Sequence, residues 1–145
     1  MNSRNFLVGG IVAGICYFLL GWIVYGMLLK DFMLNNAGSA TGVSKNPEQF
    51  VWWSLGLGNL VLGFLLAYIM RKAKAVSAAS GAKIGIAVGV LMSAGIDFIM
   101  YGTTNLSTMT GIAADVAAMA VISGIAGGIT GLVLSMANKK SVAAA

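Results

Sequence analysis

The sequence contains no histidine, one cysteine and one proline, and only 9% of its 145 residues are charged. The lack of histidine excludes His-ligated haem, most zinc and copper sites and every catalytic triad that uses histidine as its base. The single cysteine, Cys16, excludes an intrachain disulfide. Soluble domains average about 25% charged residues, so the low charge excludes an ordinary soluble domain.

What the chain does contain is apolar sequence, since 59% of its residues are hydrophobic. Four apolar segments are long enough to be membrane helices, and they are predicted at residues 6–29, 47–70, 84–102 and 113–136. The first has 24 residues, which as a helix spans about 36 Å and crosses a bilayer core of about 30 Å. The predicted fold is all-α: one polytopic four-helix transmembrane domain over residues 1–145, built from two tandem helix hairpins.

The start of the second helix is predicted from a capping pattern. Asn46 is a suitable N-cap, Pro47 suits the first helical position, and Gln49 stands three residues after the cap. Trp52 and Trp53 follow, and such amphipathic rings favour the headgroup level of a membrane. The pattern predicts a helix from Pro47 onwards.

The nine basic residues predict the orientation of the helices. One side of the predicted bundle carries seven of them, Arg4, Arg71, Lys72, Lys74, Lys83, Lys139 and Lys140, and the other carries Lys30 and Lys45. Positive charge collects on the cytoplasmic side, so both termini are predicted to be cytoplasmic. Basic residues that flank apolar spans do not form a nucleic-acid-binding face, and no nucleic-acid partner is expected.

Two acids lie inside predicted helices. Asp97 is in the third helix and Asp115 is near the start of the fourth. A carboxylate in a membrane segment costs at least about 2.5 kcal/mol, so it seldom occurs without a partner or a function. Counting along each helix places Asp97 about 7 Å and Asp115 about 5 Å deep. Two carboxyl groups at similar height are expected to share a proton or a cation.

A polar cluster is predicted around these acids. If the third helix continues past residue 102, Tyr101, Thr104 and Asn105 stack on the face of Asp97. Side chains from the first two helices are expected to join them. The candidate ion or proton site comprises Asp97, Tyr101, Thr104, Asn105, Asp115, Asn59 and Tyr25.

Structural interpretations of the same residues stay open. Asp115 can complement the positive N-terminal end of the fourth helix. Asp97 can bond to Tyr101 or to the backbone, and Asn59 can join two helices.

Small residues at four-residue spacing predict close helix packing, because they allow backbones to approach in the absence of a hydrophobic effect. The packing positions are predicted to be Gly85, Gly89, Ser93, Gly124, Gly128 and Gly131. The two halves of the chain also look alike: Ile23–Gly26 and Ile99–Gly102 are both apolar residues followed by Tyr-Gly. Either an internal duplication or the general likeness of glycine-rich apolar helices accounts for this.

Asp97 followed by Tyr101–Leu106 and by Asp115–Val116 resembles the second half of small four-helix bacterial inner-membrane proteins of unknown function. The Leu20–Leu28 stretch resembles the opening of a related uncharacterised family. The resemblance implies a four-helix polytopic fold in a bacterial inner membrane and brings no activity with it.

An enzyme is not expected, because no histidine and no phosphate-binding glycine motif are available. No catalytic residue, cofactor or metal site is predicted. Two function classes remain. One is an oligomeric transporter or channel for a cation, proton or small solute that uses Asp97. The other is a structural or accessory subunit of a larger membrane complex. The expected partners are the lipid bilayer and either further copies of the chain or a larger complex.

Overall fold

The computed structural model describes residues 3–75 and 77–143, with side chains up to residue 137. The described residues form five α-helices, which in chain order are α1 Ser3–Ile23, α2 Lys30–Asn35, α3 Trp52–Lys72, α4 Ala78–Thr103 and α5 Met109–Ala143. A π-helical turn, Val24–Leu28, extends α1, and a 3-10 turn, Pro47–Gln49, precedes α3.

Four of these elements are long and apolar enough to cross a membrane: Ser3–Leu28, Trp52–Lys72, Ala78–Thr103 and Met109–Ala137. The predicted all-α class and the four long apolar helices are therefore confirmed. Helices are the natural form for such segments, because a helix satisfies its backbone polar groups internally. Large apolar side chains cover the outside of the bundle, as with Trp22 at 60% and Leu91 at 74% exposure.

The helix ends differ from the predicted ones. α3 starts at Trp52 and not at Pro47, because the 3-10 turn stops at Gln49 and Phe50 returns to extended backbone. Asn46 makes no side-chain capping bond. The predicted capping box therefore does not form.

α4 begins earlier than predicted, at Ala78, because Ser77 caps it. The Ser77 hydroxyl accepts a hydrogen bond from the Ser80 N–H at 3.2 Å, and the Ser80 hydroxyl accepts one from the Ser77 N–H at 3.2 Å. This reciprocal pair is a capping box made by two serines. α5 is also longer at both ends than residues 113–136.

The helices pack in the spatial order α3, α1, α5, α4. α1 contacts α3 and α5 extensively, α5 contacts α4 most of all, and α3 has little contact with α4. The core lies where α1, α3 and α5 meet and includes the buried side chains of Tyr17, Leu66, Met70 and Ile122.

The α4–α5 contact depends on missing side chains. A Cβ on Gly85 would overlap the carbonyl group of Ser123, and a Cβ on Gly81 would overlap that of Gly127. Five of the predicted packing positions, Gly85, Gly89, Gly124, Gly128 and Gly131, lie along this contact, and the sixth, Ser93, is buried on α4 with its hydroxyl donating to the Gly89 carbonyl at 2.8 Å. A second close approach, at Gly63 against Gly10 and Gly14, joins α3 to α1.

The ends of the bundle are distinct. At one, the basic end, the guanidinium of Arg71 lies over the ring of Phe6, 5.8 Å from its centroid. At the other, the loop end, Gly38 N–H donates to the Leu106 carbonyl at 3.0 Å and Thr108 N–H to the Asn36 carbonyl at 3.1 Å. The α1–α3 connection and the α4–α5 turn are thereby tied together. The side chains of Lys139 and Lys140, which the orientation prediction uses, lie outside the described part.

Candidate functional site

The candidate site lies near the loop end, where α1, α4 and α5 each contribute one polar side chain. Tyr25 Oη donates a hydrogen bond to Asp115 Oδ1 at 2.7 Å. This length is the usual one for an O–H···O hydrogen bond. A bond between residues 25 and 115 joins α1 to α5 across the centre of the bundle.

Tyr25 sits in the π-helical turn of α1. The N–H of Leu29 donates to the carbonyl of Val24, five residues earlier, at 2.7 Å. π-helical turns are rare in proteins, and those that occur are often found at functional sites. Nothing in the Val24–Leu28 sequence marks the turn, so sequence reasoning missed it.

The second acid, Asp97, lies on α4 beside Asp115, close enough for the two carboxyl groups to interact directly. Asp97 Oδ2 is buried and has no hydrogen-bond partner among the described residues. Ionised carboxylates only accept hydrogen bonds. A bond between the two groups therefore needs a proton, held by one of them.

Among the described residues, no basic side chain is one of the charged groups that act on Asp97 or Tyr25. Within the described residues, the charged group that acts on Asp97 is Asp115, and the groups that act on Tyr25 are Asp115 and Asp97. The site is a pair of partly buried acids with one tyrosine donor. The described part of the chain also holds no cluster of three or more His, Cys, Asp or Glu residues that could bind a metal.

The other predicted site residues are not brought to the acids. Tyr101 is 46% exposed, and no bond joins it to Asp97 in the described residues. α4 ends at Thr103, and Thr104 turns to extended backbone with its hydroxyl donating to the Met100 carbonyl at 2.7 Å. Asn105 is exposed in the turn, where its carbonyl accepts from Ala40 N–H at 3.0 Å. Because α4 ends at Thr103, Tyr101, Thr104 and Asn105 do not stack on the helix face of Asp97.

The position of Asp115 in α5 decides how strongly it can complement the positive N-terminal end of that helix. α5 begins at Met109 and has no acid in its first turn. A carboxylate interacts with the helix dipole chiefly within that first turn. The contacts with Tyr25 and Asp97 are therefore the main interactions of Asp115, and dipole complementation is secondary.

A cavity of about 340 Å³ lies between α1, α3 and α5, with Tyr25 in its wall. Asn59 also lines it, and its side-chain amide donates to the Leu55 carbonyl at 2.8 Å. The remaining lining residues are Tyr17, Phe18, Gly21, Trp22, Gly26, Phe50, Trp52, Leu55, Leu62, Met119 and Ile122. We call this space the aromatic cavity. The sequence signal for it was the clustering of aromatics at residues 17–25 and 50–53, which interface anchoring also explains.

Comparison with protein families, with curated proteins and with solved structures finds no match to this chain. The resemblance of the Tyr101–Leu106 stretch to uncharacterised inner-membrane proteins therefore stays a prediction.

Proposed function

We propose that this chain is an integral protein of a bacterial inner membrane, with four spans and both termini in the cytoplasm. The four long apolar helices and their exposed apolar side chains support the spans. The seven-to-two distribution of the nine basic residues supports the orientation.

Within that membrane, the protein is proposed to act as a small transporter whose acid pair, Asp97 and Asp115, binds and releases a proton or another cation. The observation that carries this is Asp97 Oδ2, which is buried, has no hydrogen-bond partner among the described residues, and belongs to a carboxyl group that lies beside a second acid. Such a group is costly in a membrane segment and usually functional. Tyr25, which donates to Asp115, is the third member of the site.

Losing or gaining one proton changes the force between α4 and α5. With one proton, the pair is joined by a hydrogen bond, and without it, two like charges face each other at low dielectric. A cation that enters in place of the proton removes the repulsion. Proton release and cation binding are therefore coupled at this site.

The alternative function is a structural subunit of a larger membrane complex or of a homo-oligomer. One observation favours it: an open apolar groove on the outer face of α4 and α5, which includes Ile86, Val121, Gly124 and Gly128. A bond from Tyr101 or Asn59 to Asp97 would give that acid a purely structural role and support this alternative. Neither forms a bond to Asp97 in the described residues, since Asn59 donates to Leu55.

The test is flux in liposomes that contain the purified full chain. A pH-sensitive dye inside the vesicles reports proton movement driven by an imposed gradient of pH or of a monovalent cation. Asp97→Asn and Asp115→Asn are expected to abolish protein-dependent flux while helix content is retained. Asp31→Asn, which changes an exposed acid of the short helix α2, is the matched control and should leave flux intact. Flux that persists in both site variants overturns the transport function.

A further inference from the structure

We propose that the aromatic cavity binds a lipophilic monovalent cation, with the apolar body among the aromatic side chains and the charge towards Tyr25 and the acid pair. This inference rests on the proposed transport function and names its substrate class.

The size and walls of the cavity fit an organic ring compound. Its volume of about 340 Å³ is at the lower end of the range for small-molecule pockets. Trp22, Phe50 and Trp52 come from the loop end of α1 and the start of α3. Aromatic faces attract cations.

The charge near the cavity is negative. None of its lining residues is basic or acidic, so its walls neither repel nor neutralise a ligand charge directly. Tyr25 forms part of the wall, its hydroxyl group donates a hydrogen bond to Asp115, and Asp97 lies beside Asp115. A ligand in the cavity is therefore one tyrosine ring away from two carboxyl groups that have no basic partner among the described residues.

A bare inorganic ion does not fit these walls. Hard cations need several oxygen ligands, whereas the side chains that line the cavity supply three oxygen-bearing groups, the hydroxyls of Tyr17 and Tyr25 and the amide of Asn59. A cation that carries its own apolar substituents needs no such ligands. An anion in the cavity would be repelled by the negative charge of the acid pair, and no cluster of hydrogen-bond donors lines the cavity to offset that repulsion.

The experiment measures binding of methyltriphenylphosphonium to the detergent-purified full chain by equilibrium dialysis. Triphenylphosphine oxide, which is neutral and of similar size, is the comparison ligand. Saturable binding of the cation is expected, at least tenfold tighter than that of the neutral compound. Asp115→Asn is expected to reduce the difference between the two ligands to less than threefold.

A pair of glycine variants keeps the test specific for the cavity. Gly21 lines the cavity, and a Cβ added there meets nothing within 4 Å, so Gly21→Phe fills the space without a backbone clash. Gly95 on α4 also has nothing within 4 Å of an added Cβ and does not line the cavity, so Gly95→Phe is the matched control. Gly21→Phe should abolish cation binding, and Gly95→Phe should preserve it.

The possible failures are distinguishable. No saturable binding, or equal binding of cation and neutral compound, overturns the cation assignment, and the second result identifies the cavity as a site for neutral apolar molecules. Binding that survives Gly21→Phe places the cation elsewhere and also overturns the proposal. Proton flux in liposomes without cation binding leaves the transport function standing. Selective binding without any flux removes the transport function and leaves the binding site.

Discussion

The ends of α1 and α4 share a sequence pattern but differ in structure. Ile23–Gly26 and Ile99–Gly102 both place Tyr-Gly after apolar residues. α1 passes into a π turn there, and Tyr25 reaches Asp115. α4 stays α-helical to Thr103, and Tyr101 remains 46% exposed. Local sequence does not decide where such a tyrosine points; the helix geometry and the neighbour across the bundle do.

The contacts that α4 and α1 make with α5 also differ. α4 is held to α5 by backbone contact along glycines, which fixes Asp97 beside Asp115. α1 reaches α5 in part through a side-chain hydrogen bond. The α4–α5 contact is thus one between backbones, whereas the α1–α5 contact includes a side-chain hydrogen bond.

The largest loss of stability is expected when the backbone contact between α4 and α5 is disrupted. Gly85→Leu puts a side chain into the Ser123 carbonyl and is expected to lower the free energy of unfolding by about 3 kcal/mol, because overpacking at a backbone contact cannot be relieved by rotamer changes. Unfolding in mixed detergent, followed by circular dichroism, measures it.

The control for that prediction is Gly95→Leu. Gly95 is on the same helix, but an added Cβ there has nothing within 4 Å. Its unfolding free energy should stay within about 0.5 kcal/mol of the original chain. Equal loss in both variants would show that the cost does not come from the α4–α5 contact; helix propensity cannot be its source, because leucine favours a helix more than glycine does.

A smaller effect is expected from the two tyrosines. Tyr25→Phe removes the donor to Asp115 and leaves a partly buried acceptor unsatisfied, which costs about 1–3 kcal/mol. Tyr101→Phe changes an exposed hydroxyl and should cost less than about 0.5 kcal/mol. The same unfolding assay compares them. Equal costs would mean that the inward bond of Tyr25 contributes nothing to stability.

The smallest effect is expected at a buried hydroxyl of α5. Thr130 is 0% exposed, and its Oγ1 has no hydrogen-bond partner among the described residues. Thr130→Val keeps the shape and removes the unsatisfied group, so stability should be unchanged or rise by about 1 kcal/mol. Thr103→Val, at an exposed hydroxyl that donates to the Ile99 carbonyl at 2.8 Å, is the control and should be neutral. A clear loss at Thr130 would reveal a partner for its hydroxyl.

The sequence predicted the features that depend on composition and spacing. Long apolar segments are helices in a bilayer because no other open structure satisfies their backbone, and the small-residue positions Gly85, Gly89 and Ser93 lie at a helix contact because their spacing puts them on one face. The nearness of Asp97 and Asp115 followed from counting along two consecutive helices.

Features set by three-dimensional packing were not predictable in the same way. The capping pattern at Asn46 was overridden because the backbone extends again at Phe50. The π turn at Tyr25 leaves no mark in the sequence, and the aromatic cavity needs three helices to form it. Tyr101 and Tyr25 are indistinguishable until their surroundings are known.

The tie between the α1–α3 connection and the α4–α5 turn has a mechanical consequence. The N–H groups of Gly38 and Ala40 donate hydrogen bonds to the carbonyls of Leu106 and Asn105. These bonds join the α1–α3 connection to the α4–α5 turn at the loop end. α3 packs mainly on α1. The exposed segment that leads to α3, residues 41–51, makes none of these hydrogen bonds to the α4–α5 turn. The α3 wall of the aromatic cavity is therefore the wall that can move without breaking these hydrogen bonds, while the backbone contact of Gly63 with Gly10 and Gly14 holds the rest of α3 on α1.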